Sequence, residues 1–471
     1  MIDLKKIITQ LDAETYNGLE KAFLKTKADN SLYLLKIYRN SCPKDEEIIG
    51  SLNINPTSLY TLKSRLYDKI QNQLSKAETL TEEELLNQVN QIHQVCYNNS
   101  KEISVAMLTK LEENLLKNDM HGELLIVYSA LKQLHLFTEK YYYYSQLYNK
   151  QIAFNLTTEK AIEILGNFNR LLMQYDFSKS QTDLETLNFL YKGVLEQYSL
   201  NSSKQIELIK NIIECELILF TPSELIPGLT PVPDLINRAE MLIEQLPYYK
   251  EQKQWLPIIN YLSFEFYRSK NDYKNAEQYF NKVNTDLGIL PFYSNVSVIS
   301  KFLISKIGYT SEHSKDGFTN LKRFDLEYID NKNIHSTIIV ELYNSMVLYF
   351  DGKLKEAIAT LNNLLNDISL KDLNYISINI KLTLAYLYIK KKEFDMAETI
   401  LKSVSRKIKA DCPEQFSLVN NLIKLFQLEI NQGGKNVKSQ QSDLLTLFLS
   451  KNKELRLMEH LNHEFIKQYA L

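Results

Sequence analysis

Glycine and proline are scarce in this chain, 12 and 10 among 471 residues. With Leu, Lys, Ile, Glu, Asn and Gln abundant, that scarcity favours helix over sheet. The four cysteines, Cys42, Cys96, Cys215 and Cys412, lie far apart and form no C-x-x-C pair, so they read as reduced, mostly buried thiols. No excess of charge is present: 55 basic against 57 acidic side chains, net −2. This argues against a general polyanion binder but not against a local basic patch. Apolar runs are interrupted by charge before the ~18 residues needed to span a bilayer. The opening Met-Ile-Asp-Leu-Lys-Lys has no apolar core of signal-peptide length. The expectation is a cytoplasmic protein with no membrane role.

Catalytic signatures are missing too. No G-x-S-x-G, H-E-x-x-H, G-x-G-x-x-G or G-x-x-x-x-G-K-[ST] occurs. Gly433-Gly434-Lys435 lacks the strand before it and the Ser/Thr after it that a phosphate loop needs. His460 and His463 are three apart on one helix face, flanked by Glu459 and Glu464. Without a visible third ligand they read as surface histidines and not as a metal site. No catalytic residue, metal or cofactor is expected, and enzyme function is not implied.

What the chain does have is internal repetition. LYNSMVLYFDGKLKEAIATLNNLL, from Leu342 to Leu365, and LTLAYLYIKKKEFDMAETILKSV, from Leu382 to Val404, are written in nearly the same pattern. Each has an apolar helix with a small residue inside it (Ser345, Ala385), then a short turn. A second helix follows, opening on Leu354 or Phe394, with an Ala three residues on (Ala357, Ala397) and a Leu four beyond (Leu361, Leu401). Small residues let two helices approach to roughly 8–10 Å, and the large ones fill the seam. A third match, INYLSFEFYRSKNDYKNAEQYFNKV, carries Tyr267, Tyr273, Ala276, Phe280 and Val283, with Phe264 where a small residue is usual. Such self-similarity marks a stacked helical array.

These units resemble the tetratricopeptide repeat family over about 258–404. The family's usual Trp is missing from all three; Asn260, Glu341 and Lys381 stand there. The alanines of the two best units are 40 residues apart instead of the family's 34. The resemblance implies an all-α fold of antiparallel helical hairpins stacked as an α-solenoid, whose first helices line a concave surface. Carried over by position, that lining includes Tyr261, Glu265 and Arg268 in the first unit, Leu342, Met346, Tyr349 and Phe350 in the next, and Asn379, Tyr386 and Lys390 in the last. The carboxylate clamp of the family's chaperone-tail binders is absent, because Tyr261, Glu265, Tyr343, Asn379 and Thr383 occupy its places. The lining suits an apolar helix or extended peptide, supplied by a partner or by the chain's own terminal helix.

Taken in order, residues 1–76 form an N-terminal helical unit, 80–220 an array of helical hairpins, and 234–471 the repeats with C-terminal capping helices. Helices are expected over 82–97, 102–117, 121–135, 139–155, 158–175, 181–199 and 203–219. Tyr141, Tyr144, Tyr148 and Ile152 share a face and are expected in a packed seam. The stretch TPSELIPGLTPVP, residues 221–233, holds four prolines and is the best internal boundary, a hinge or a loop. Less regular helices are expected around 292–307 and 316–329, and a final pair over 414–431 and 441–469. Between that pair Asn431 to Lys435 reads as a helix stop.

Within the first unit, EEIIGSLNINPTSLYTLKSRLYDKI resembles the helix-turn-helix of sigma-factor region 4. Asn53 stands where Gly is usual, and Asn tolerates the left-handed conformation of that turn. The resemblance implies that Thr57, Ser58, Tyr60 and Thr61 face bases, while Lys63 and Arg65 reach phosphates or bases. Residues 1–76 carry 12 basic and 9 acidic side chains, a weak excess for a DNA binder. The leading expectation is a non-catalytic scaffold that binds a protein or peptide. The alternative is a transcription regulator that binds DNA through this unit and senses a partner through the array.

Overall fold

The computed structural model describes residues 4–470 except 42, 76–80, 223–227, 246–248, 287–295, 314–333, 372, 412–415, 417, 432–436 and 453–455. Cys42, Cys412, the helix expected over 316–329 and most of the 431–435 stop lie outside the described residues. Among those described, all regular structure is helical and no strand occurs. The helices are α1 (Leu4–Gln10), α2 (Ala13–Thr26), α3 (Asp29–Asn40), α4 (Asp45–Leu52), α5 (Pro56–Ser75), α6 (Glu82–Asn90), α7 (Ile92–Asn98), α8 (Lys101–Lys117) and α9 (His121–Leu134). There follow α10 (Lys140–Ser178), α11 (Gln181–Leu200), α12 (Lys204–Phe220), α13 (Val232–Glu244), α14 (Tyr249–Ser269), α15 (Tyr273–Asp286) and α16 (Val296–His313). The last are α17 (Ile334–Phe350), α18 (Leu354–Asp367), α19 (Asn374–Lys390), α20 (Phe394–Asp411), α21 (Val419–Ile430), α22 (Val437–Lys451) and α23 (Asn462–Tyr469), the last preceded by a 3-10 turn, Glu459–Leu461.

The chain divides into two compact units, 1–159 with 246–249, and 160–245 with 250–471. The division falls inside α10, between Glu159 and Lys160, and not at the proline-rich stretch. That stretch joins α12 to α13, which pack directly on each other. The Thr230 N–H donates to the buried Glu214 carboxylate at 2.7 Å. Its described residues therefore form a loop within the second unit.

In the first unit, local chemistry sets the helix ends. Asp12 accepts from the Thr15 N–H and opens α2. Thr81 and Glu84 make a capping box at the start of α6. Arg39 closes α1 by donating to the carbonyls of Ile8, Thr9 and Leu11, a substitute for the helical donors those carbonyls lack. Leu59, Leu66 and Ile70 bury the inner face of α5, which packs on α2, α3 and α8, and Gln71 donates to the Ala106 carbonyl of α8. Of the tyrosine stripe, Tyr144 is buried and Tyr148 packs partly into the same core, while Ile152 is exposed.

Three sequence expectations are corrected. Helix 82–97 is two helices, α6 and α7, parted at Gln91. The helices expected over 139–155 and 158–175 are the single α10. Thr157 and Thr158 donate their hydroxyls to the Phe154 carbonyl and stay within the helix instead of ending it. The terminal helix 441–469 is broken: α22 ends at Lys451, and Arg456 and Met458 are both left-handed before the 3-10 turn and α23.

In the second unit the three repeat-like segments share one turn geometry. Asn271, Gly352 and Lys392, each five residues ahead of the pattern's alanine, all have positive φ. The N–H of the next residue donates back to the carbonyl five residues before it in the first helix: Asp272 to Tyr267, Lys353 to Leu348 and Glu393 to Tyr388, at 3.0, 2.9 and 3.0 Å. This satisfies carbonyls that the helix end would leave bare. Ala276, Ser345, Ala357, Ala385 and Ala397 are all fully buried, as are Leu361, Leu401 and Val404. The Ser345 hydroxyl donates across the hairpin to the Ala357 carbonyl at 2.9 Å. In the first segment Phe264 instead packs against Phe280, Phe302 and Tyr309. From α16 to α22 each described helix packs on the next, and α19 also touches α21. Each buried leucine contributes roughly 1.5–3 kcal/mol to this stack.

Ala397 is fully buried in α20, which packs on α19. Overpacking such a seam costs about 1–3 kcal/mol. We expect Ala397→Leu to lower the thermal midpoint, and Met396→Gln on the exposed neighbouring position to leave it nearly unchanged, both read by circular dichroism melting.

Candidate partner-binding site

The ten residues assigned to the concave surface do not share one environment. Leu342 and Met346 are fully buried within α17, and Tyr261 is buried between Phe220 and Phe302. These three are core residues. Tyr349 and Phe350 are half-buried and in ring contact, and the Tyr349 hydroxyl lies 3.4 Å from that of Tyr386. The remaining five, Glu265, Arg268, Asn379, Tyr386 and Lys390, are brought together by a single feature: the C-terminal segment 456–469 of the same chain.

The segment arrives on a pinned turn. Asn452 binds Leu457 twice, its side-chain amide donating to the Leu457 carbonyl at 2.7 Å and its side-chain oxygen accepting the Leu457 N–H at 2.8 Å. The left-handed Arg456 and Met458 each cost on the order of 1 kcal/mol, so the turn persists only because the contacts beyond it are favourable. Leu457, Met458, His460, Leu461 and Phe465 are all fully buried.

At its start the segment completes a four-charge cluster. The Glu265 carboxylate, fully buried on α14, accepts from Arg268 at 2.7 Å, from Arg456 at 3.0 Å and from the Ser305 hydroxyl of α16. Arg268 also donates to Glu459. Burial pushes the Glu265 carboxyl up, but Arg268 and Arg456 outweigh it and hold the group at about 2. The same opposition, burial against the two guanidiniums, leaves Glu459 below its ordinary value. Two positive and two negative charges thus gather around the one fully buried carboxylate, each with a partner. The Glu459 backbone lies so close to α16 that a Cβ on Gly308 would sit 3.4 Å from its carbonyl oxygen.

Past the cluster the contacts pass to α19 and α21. Met458 N–H donates to the Asn379 side chain at 3.2 Å. His460, expected at the surface, is wholly buried, with its Nε2 3.1 Å from the Thr383 hydroxyl. That hydroxyl donates to the Asn379 carbonyl, so Nε2–H is the donor to it. Phe465 meets Tyr386 edge-on at 5.3 Å and Phe426 at 5.8 Å. Gln468 accepts from Lys390 and donates to Glu429 at 2.6 Å, and the Tyr469 hydroxyl donates to the same carboxylate. Burial pushes the Tyr386 hydroxyl far up, so it stays a protonated donor. Burial likewise lowers Lys390 and raises Glu429, each opposed by the other's charge.

Sequence reading missed the segment's own half of the site: Arg456, Glu459, Phe465, Gln468 and Tyr469, with Ser305, Phe426 and Glu429 opposite. One signal was available. The apolar positions Leu461, Phe465 and Tyr469 recur four apart and are out of step with Leu445 and Phe448 of α22. The N-terminal candidates are placed differently. Thr57, Ser58, Tyr60, Thr61 and Arg65 lie exposed on the outer face of α5, with Tyr60 72% accessible. Lys63 is taken by Asp45, its Nζ 2.6 Å from one carboxylate oxygen. Among the described residues no cluster of His, Cys, Asp and Glu is arranged to hold a metal, and no helix is long and apolar enough to cross a membrane.

Burial holds the His460 pKa down at about 4, an effect that Glu459 only partly opposes. The folded chain therefore binds fewer protons than the unfolded chain between pH 6.5 and about 4. The stability carried by neutral His460 is full above pH 6.5 and is lost as pH falls through that window, on the order of 3 kcal/mol in all. We expect urea midpoints to fall over this range and the slope to flatten in His460→Asn. Some slope remains from His135 and His335, which burial also lowers. No protein-family model, curated protein or solved structure matches the chain.

Proposed function

We propose that the chain is a tetratricopeptide-like scaffold that binds a segment of another protein along the face formed by α14, α19 and α21, without catalysis. One observation carries the reading: that face already seats a short helical segment through paired side chains, as a peptide-binding groove does. The shared left-handed turns and buried alanines of the three units support the repeat assignment. The test is cross-linked capture of partners from cell extract by full-length protein, against Tyr349→Ala with Tyr386→Ala. We expect recovery to fall about tenfold in a variant whose helix content is intact. Unchanged recovery would place partner contacts elsewhere and sink the reading.

A second reading rests on α4 and α5. Asn53 takes the left-handed turn of a helix-turn-helix, at φ 51°, and the outer face of α5 carries small polar residues, Tyr60 and Arg65. It ranks second because Lys63 is committed to Asp45 and the basic excess of residues 1–76 is small. Titration of full-length protein with random-sequence duplex DNA over a salt series separates the two. A DNA binder loses affinity steeply with salt through counterion release and is weakened by Arg65→Glu. On the scaffold reading we expect no binding even at low salt.

A further inference from the structure

We propose that residues 456–469 are an intramolecular ligand of the repeat face, and that its partner is a protein segment of the same pattern: a carboxylate placed against Arg268 and, six residues on, a phenyl ring between Tyr386 and Phe426. The inference rests on the scaffold reading above and adds the chemistry of the ligand and its competitor.

Three observations carry it. First, the segment is no continuation of the helix before it. Chain direction changes through two left-handed non-glycine residues, Arg456 and Met458, so the docked state carries backbone strain that a partner segment without this turn lacks. That difference favours exchange. Second, the interface is built from buried and half-buried polar pairs as well as apolar contact. Arg268 with Glu459, Thr383 with His460, and Glu429 with Gln468 and Tyr469 each match a wall group to a segment group. A cap needing only to cover apolar helices would bury leucines more cheaply, because each buried charge carries a desolvation penalty. Paired polar groups select one sequence in one register. Third, the pairs fall on α14, α19 and α21, and five of the wall residues the segment meets are those that the repeat pattern assigns to ligand.

The tether sets the competition. A covalently attached ligand acts at an effective concentration of the order of millimolar, so an incoming segment binds with its intrinsic affinity reduced by the fraction of molecules whose face is open. Loosening the segment raises that fraction.

The probe is a fluorescein-labelled synthetic peptide of residues 456–470, titrated by anisotropy into full-length protein and into full-length Phe465→Ala with Tyr469→Ala. We expect the variant to bind about tenfold tighter than the wild type, and a peptide carrying Glu459→Lys and Phe465→Ala to bind neither. A folded variant that ignores the peptide overturns the proposal. Native-state hydrogen exchange on the wild type guards against a variant that does not fold. Amides of α23 that exchange by local opening, ahead of α19, support a separable ligand; exchange together with α19 at the global rate makes the segment a structural cap and overturns it. Dimers that trade their C-terminal segments would make a second copy the occupant and overturn the partner assignment. If the peptide fails while partner capture still depends on Tyr349 and Tyr386, the scaffold reading stands and only the ligand assignment falls.

Discussion

The buried Glu265 carboxylate is the group on which the second unit's C-terminal architecture depends. It sits fully buried on α14, and its oxygens accept from Arg268 on its own helix, Ser305 on α16 and Arg456 on the final segment. A carboxylate cannot remain ionised there without those donors. Placing Arg456 opposite Glu265 fixes where the chain must turn after α22. That turn fixes the depth of Glu459, which accepts from the other guanidinium nitrogen of Arg268 and balances the cluster's second positive charge. The aromatic contacts of Phe465 then supply the apolar burial that the charge cluster alone would not.

The hairpins that carry this face obey a different constraint. Each first helix must stop and reverse within a few residues, and each does so through one left-handed residue, Asn271, Gly352 or Lys392. Glycine is the natural occupant of such a site and asparagine the usual substitute. Lysine at 392 is neither, so there the hydrogen bond from Glu393 to Tyr388 and the burial of Ala397 hold a conformation that the residue itself disfavours. Tertiary packing overrides local preference at the best-matching unit of the three.

Much of the fold was legible because helical periodicity and turn chemistry are local. The helix bounds of α8, α11 and α12 follow from apolar spacing to within a residue, and Asn53 was readable as a left-handed turn. The continuity of α10 was not legible, since Thr157 and Thr158 can end a helix or bond back into it and the sequence does not say which. The site was legible by half. Its wall residues on α14 and α19 follow from the repeat pattern. The segment that meets them lies between 77 and 191 positions further along the chain, and no periodicity records a contact of that range. Leu342 and Met346 were misplaced for a related reason: the pattern names the inner face of a helix but not whether another helix already covers it.

The four-charge cluster also determines which changes in the surroundings the docked segment can sense. Its charges sum to zero around a fully buried Glu265, while Arg268, Arg456 and Glu459 keep part of their surface in solvent, so the Debye screening that weakens surface pairs acts on it only in part. Acid acts more directly, because a proton on the fully buried His460 carries a charge that burial disfavours. The closed face therefore answers less to ionic strength than to proton activity and to the concentration of a competing segment.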